Sequence, residues 1–294
     1  MSPTHKISNR VLTPIFTSVF LEACQNAAVD EQIRHLQLLR TACAFALLFL
    51  LLTWETAAPF FPLFRNTWLE RTRHGARNLF LGLLNAGITS LSIIALWAWI
   101  AGWVAAHHFG VLNWLVLPEG ARILFALLFF DLWMYWWHRA NHELKFFWRF
   151  HRTHHSDSKM DVTTAHRFHF GEILFSSIFR VPVILLLGLR LQELVRYETL
   201  MFGVVQLHHA NVALPGNMDR FLRWLIVTPC IHKVHHSRFQ PETDSNYSSL
   251  FSWWDRLFRT FKLSADPATI SYGLANYDAP SRQTLGGLLK TPIE

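Results

Sequence analysis

The sequence predicts an all-α protein: an integral-membrane helical bundle of about four spans with a histidine-rich helical cap on its cytoplasmic side. Three observations predict it. Apolar residues make up 51% of the 294 positions and charged residues only 16%, where a soluble domain carries about 25% charged; lipid must be part of the solvent. Uncharged stretches recur along the first three quarters of the chain, the longest of them amply able to hold a span. Histidines recur at separations of three and four, the spacing of one helix face.

Residues 1–35 are mixed and polar, a tail or short surface helix, and MSPTHKISNR lacks the charged-then-apolar order of a cleaved signal peptide. Residues 36–137 form a transmembrane hairpin region. Thr41–Trp54 carries no charge and continues to Phe64 with only Glu55, so it reads as a first span. A loop at 65–77 follows, with Arg65, Arg71, Arg73 and Arg77 against Glu70. From Leu79 to Pro118 there is no Asp, Glu, Lys or Arg; a span needs about 20 residues, so this run holds one helix and a turn. Ile123–Trp137 returns, interrupted only by Asp131. The positive-inside rule puts the Arg-rich loop in the cytoplasm and the turn at 107–120 outside, which delivers His138 to the cytoplasmic side. Lys6, Arg10, Arg34 and Arg40 leave the first span open to a re-entrant reading.

Residues 138–265 form the histidine-box region, which includes a second membrane hairpin at about 173–214. Its apolar stretches, Ile173–Leu189 and Thr199–Leu214, contain Arg180, His208 and His209. Such groups are expected to turn toward protein, because charge facing lipid is costly. Trp253, Trp254, Arg256, Phe258, Arg259, Phe261 and Lys262 read as an amphipathic segment on the membrane surface, and 266–294 as a C-terminal tail. The formal charge of +7 suits an anionic membrane surface rather than nucleic acid, since 13 tryptophans accompany it. Cys24, Cys43 and Cys230 form no CxxC pair and are odd in number, which argues against a disulfide framework and a thiolate metal site.

Twelve of the 17 histidines fall between His138 and His236. His138 and His142 sit in HRANH, His151, His154 and His155 in HRTHH, and His232, His235 and His236 in HKVHH. Each cluster can point several imidazoles at one place. Imidazole suits Fe, Zn, Cu and Ni, and eight exceed the four ligands of one structural zinc, so two metals sharing the set is the simpler arithmetic. Two adjacent redox metals can activate O2 to break an unactivated C–H bond. His5, His35, His74, His107 and His108 are isolated or in loops and read as ordinary surface residues. His209, near the end of an apolar stretch, is a candidate ninth ligand. His166 and His169 fit ligands, groups that orient ligands, or gate residues, and His208 reads as a group that orients ligands. Asp131, two helical turns before His138, could orient an imidazole, pair with an Arg or make a helix-packing contact; Asp255 has the same ambiguity.

HRANH, HRTHHS and HKVHHS, in this order after a hydrophobic hairpin, resemble the fatty acid hydroxylase/sterol desaturase superfamily of histidine-rich membrane diiron oxygenases. DLWMYWWHRANH, LHHANVALPG, VTPCIHKVHHS and SWWDRLFRTF share the likeness, which runs from about Phe129 to Lys262. The resemblance implies an iron pair (Fe2+/Fe3+), with zinc as a substitute in purified protein. It implies ligand roles for His138, His142, His151, His154, His155, His232, His235 and His236, with His209 of the HAN element joining them; Asn211 of that element is a candidate to orient the ligands. Phe170 departs from the family's habit of following the histidine at the position of His169 with proline. The expected reaction is O2-dependent hydroxylation or desaturation of a lipid such as a fatty acyl chain or sterol. With no fused cytochrome b5 segment expected, electrons would come from a separate ferredoxin or cytochrome b5-type donor. The compact length resembles bacterial members, which implies an inner membrane with the cap in the cytoplasm. The lipid tail is expected between the spans and its polar end at the cap. A histidine-rich metal transporter is the alternative, but its histidines belong near the bilayer midplane; a bis-His haem carrier would need far fewer.

Overall fold

The computed structural model describes residues 12–64 and 68–294 and is helical throughout, with only two isolated bridges, Ile226–Phe251 and Ser237–Tyr272, among the described residues. In chain order the helices are α1 (Leu12–Ala57), α2 (Trp68–Ile88), α3 (Ile94–Ala106), α4 (Val111–Trp114), α5 (Glu119–Glu143), α6 (Lys145–His155), α7 (Phe170–Leu187), α8 (Leu191–His209), α9 (Gly216–Leu222), α10 (Pro229–His235), α11 (Gln240–Thr243), α12 (Trp253–Leu257) and α13 (Leu285–Lys290).

Among the described residues, three stretches are long and apolar enough to cross a membrane: Glu31–Ala57, Ile94–Trp114 and Phe170–Leu187. Three such stretches are roughly consistent with an expectation of about four spans; α5 and α8 are of comparable length but carry more ionisable groups. Several boundaries differ from the sequence reading. The polar segment and first span are one 46-residue helix from Leu12; residues 1–11 lie outside the described residues. Arg71, Arg73 and Arg77 sit on α2 rather than in a loop; Arg65 lies outside the described residues. The uncharged run from Leu79 to Pro118 is interrupted by a π turn at Thr89–Ile93 between α2 and α3. The stretch read as Thr199–Leu214 leaves the helix after His209.

Between helices already in lipid, apolar burial supplies little drive, so close packing and polar contacts hold the bundle. Trp97, Ile100 and Val104 of α3 pack with Phe130 and Met134 of α5, Val183 and Ile184 of α7, and Leu194 and Tyr197 of α8. At the end away from the histidines, Arg122 pairs with Glu193 at 2.6 Å and donates to the Leu112 and Gly188 carbonyls. There α7 ends at Gly188 in the left-handed conformation (φ 73), where a side chain would meet the Phe109 carbonyl. At the opposite end, Glu55 of α1 accepts from the backbone N–H groups of Val162 and Asn211 and from Arg71. This ties α1 to the histidine-bearing cap.

Candidate metal centre

The helix ends converge at the cap. His138 and His142 lie one turn apart near the end of α5; His151, His154 and His155 occupy the last turns of α6; His209 ends α8; His232 and His235 lie on α10, with His236 as its C-cap. Their ring nitrogens form two abutting groups, His138, His142, His151, His155 and His235 in one and His154, His209, His232 and His236 in the other, each within 4.8 Å. The sequence placed eight of the nine by spacing, and the ninth, His209, falls in the second group.

The nitrogen lone pairs reveal what such an arrangement needs. His138 Nδ1 donates to the Tyr247 carbonyl at 2.8 Å, His151 Nδ1 to Glu172 at 2.8 Å, His209 Nδ1 to the Val205 carbonyl at 2.7 Å and His235 Nδ1 to the Ser245 carbonyl at 2.7 Å. A neutral imidazole carries one proton, so the Nε2 of each is a bare acceptor. Yet His138 Nε2 faces His151 Nε2 at 3.2 Å, and His235 Nε2, like those of His155 and His142, is buried without a partner. Bare lone pairs this close repel unless a cation lies among them. In the second group His209 Nε2 stands 3.1 Å from both His154 Nε2 and His232 Nε2. These separations match neighbouring ligands on one ion with metal–nitrogen bonds of about 2.1 Å. The donor set therefore fits a pair of imidazole-loving metals.

Burial, reinforced by mutual repulsion among imidazoliums, holds His138, His142, His154, His155, His232 and His236 well below the usual histidine range. Burial pushes His235 down to about 3. All are neutral at neutral pH, the protonation state that ligates.

The remaining sequence candidates scatter. Asp255 accepts from the Tyr247 and Ser248 N–H groups and fixes the carbonyl that orients His138. Asp131 meets neither histidine nor arginine; it accepts from Tyr197, Trp254 and the Phe251 N–H, joining α5 and α8 to the α12 segment. Asn211 brackets Phe61 through both amide atoms and holds the chain after α1. His169 caps α7, accepting from Gly171 N–H. His208 stacks on His232 at 3.8 Å, outside both groups. His166 lies against Phe202 at the wall of a cavity.

Two features escaped the sequence reading. Glu172, behind His151, had no motif to mark it. His74, read as a surface residue, is 4% exposed. Its Nε2 meets both Asp157 oxygens at 2.9 and 3.0 Å, and Asp161 flanks its Nδ1. Asn78, Thr164 and Arg167 complete a buried network beneath α6. Burial pulls His74 down, but Asp157 and Asp161 more than reverse that and hold it at about 10.

A cavity of about 750 Å³ reaches from His138, His151, His154 and His209 along residues of α1, α2, α3, α7 and α8. This is lipid-sized, since ligand pockets run about 300–1,000 Å³. An all-helical membrane protein with two abutting histidine groups at the head of an apolar cavity is thereby defined.

Residues 123–260 match the fatty acid hydroxylase family, and the chain is similar to members of the fatty acid hydroxylase/sterol desaturase superfamily. It is 32% identical over 151 residues to alkylglycerol monooxygenase of Homo sapiens, covering 51% of this chain and 32% of that one. It is 30% identical over 168 residues to the ornithine lipid hydroxylase of Rhizobium tropici, covering 57% and 49%. It is 27% identical over 154 residues to cholesterol 25-hydroxylase of Homo sapiens, covering 50% and 53%. The matches thus span about a third to a half of these relatives' lengths. No solved structure matches the chain.

Proposed function

We propose that this protein is a membrane-bound, O2-dependent dinuclear iron oxygenase that hydroxylates, or desaturates, a C–H bond of a lipid. One observation carries the reading above the rest: bare imidazole lone pairs of two abutting groups converge where a lipid-sized cavity ends. In this proposal His138, His142, His151, His155 and His235 hold one ion, and His154, His209, His232 and His236 the other. When bound, the iron pair supplies the oxidant, with O2 and two electrons from a separate donor of the ferredoxin or cytochrome b5 type. Zinc in the same ligands would leave the site formed and inactive. The cap would face the cytoplasm of a bacterial inner membrane, where such donors reside.

The chain's own part is placement. The carbonyls of Tyr247, Ser245 and Val205 and the Glu172 carboxylate fix four imidazole rings with their lone pairs inward. The cavity walls would hold one carbon of the substrate against the histidines, and that placement would select the position attacked. The named relatives act on lipids of different kinds, which accords with a shared centre and differing cavities.

The test is isotopic. Membranes from cells expressing the wild-type chain under 18O2 should accumulate a lipid carrying one labelled oxygen, or one lacking two hydrogens if the outcome is desaturation. His235→Ala membranes should accumulate neither. A wild-type protein with both metals in place and no altered lipid would refute the assignment.

A further inference from the structure

The far part of the cavity is not uniformly apolar. Arg180 of α7 and Glu198 of α8 both line it and pair with each other, Nη1 to Oε1, at 2.6 Å. Arg180 is 8% exposed and its Nε has no partner. Its guanidinium lies 5.3 Å from the Trp97 ring and 5.8 Å from that of Phe130. A buried ion pair is weak support for stability, since well-packed apolar residues often serve as well or better. Within a membrane span such a pair calls for a functional account.

Its position relative to the histidines is defined by the helix. Glu172, Ser176 and Arg180 recur every four residues on the cavity-lining face of α7, and Glu172 is the residue bonded to His151. Eight residues of helix separate Glu172 from Arg180, about 12 Å along the axis. The cavity therefore has the candidate metal centre at one end and a paired donor and acceptor about two helical turns away.

Resting on the proposed oxygenase reading, we infer that Arg180 and Glu198 form a recognition site for a neutral lipid group that both donates and accepts a hydrogen bond, a hydroxyl or an amide, held about two helical turns from the carbon attacked. Charge decides among polar groups. A carboxylate would gain from Arg180 and be repelled by Glu198; an amine would do the reverse. A hydroxyl or amide can accept from the guanidinium and donate to the carboxylate while burying no net charge. The attacked lipid then lies with a polar group deep among the spans. This reverses the orientation expected from the sequence, with the polar end at the cap.

The test reads binding rather than turnover. Full-length, metal-loaded protein is held anaerobically in nanodiscs, and labelled hexadecanol is displaced by hexadecanol, hexadecanamide, palmitic acid, hexadecylamine or hexadecane, corrected for partition into empty discs. Hexadecanol, hexadecanamide or both should compete at least about tenfold better than hexadecane; which of them does so assigns the hydroxyl or the amide. The acid and the amine should fall short of the better of the two. Arg180→Met/Glu198→Met should erase the preference while alkane competition persists. Glu198→Gln, nearly isosteric, should shift preference toward palmitic acid, and it carries the test if the double variant does not assemble. A mere staple between α7 and α8 would leave the order unchanged in every folded variant. That result, or hexadecane competing as well as hexadecanol in the wild type, would overturn the inference. Metal content measured on the same samples separates this failure from a failure of the oxygenase reading.

Discussion

At the scale of single residues, the centre depends on which ring nitrogen of each histidine is free. Tautomers are set from behind, by Glu172 at His151 and by main-chain carbonyls at His138, His209 and His235. Groups that orient metal-binding imidazoles typically contribute ten- to hundredfold in metal affinity. Glu172→Ala should therefore weaken metal binding by about that factor while Glu172→Gln, which can still accept from Nδ1, largely retains it; competition with a chelator measures both. Equal loss in the two variants would show that charge, not ring orientation, is what Glu172 supplies. Eight of the nine histidines were legible because separations of three and four mark a helix face; His209 stood out by its place at the end of an apolar stretch and in the HAN element. Glu172 was not, because nothing in the sequence relates it to His151 across the turn between α6 and α7. Likewise, the carbonyls that orient three of the rings carry no residue identity.

Among elements, the sequence showed which segments are apolar more clearly than how they meet. The first span and its polar leader are a single helix because Pro14 falls in its first turn, where proline is tolerated, and no Pro or Gly interrupts the helix from there to Ala57. His74 was misread for a related reason: its Arg-rich surroundings resemble a loop, and its partners Asp157 and Asp161 lie more than 80 residues away. That pairing ties α2 to the cap and should be visible as a pH dependence. His74 is raised from 6.5 to about 10, so its stabilisation is full below pH 6.5 and is lost as pH rises through 10. Asp157 is held far below its ordinary 3.8, where its burial is outweighed by His74 and Arg167; its stabilisation is present above 3.8 and is lost as pH falls through its folded value. The two are one interaction seen from both sides. The difference in unfolding temperature between wild type and His74→Gln should thus be largest between about pH 4 and 6.5 and narrow toward pH 10. A difference that widens with pH would contradict the ion pair.

For the molecule as a whole, one centre is assembled from four separate helix ends: α5 and α8 from the bundle, α6 and α10 from the cap. None of these helices presents more than three of the nine histidines, so the proposed metals and the fold would depend on each other. The most direct measurement is the metal content of the full-length protein purified in detergent, beside that of His154→Ala, whose residue lies in the second group and adjoins His155 of the first. About two irons per folded wild-type chain and loss of metal in the variant are expected. One metal or none in folded wild-type protein, or an undiminished pair in His154→Ala, would contradict a dinuclear centre built from these histidines.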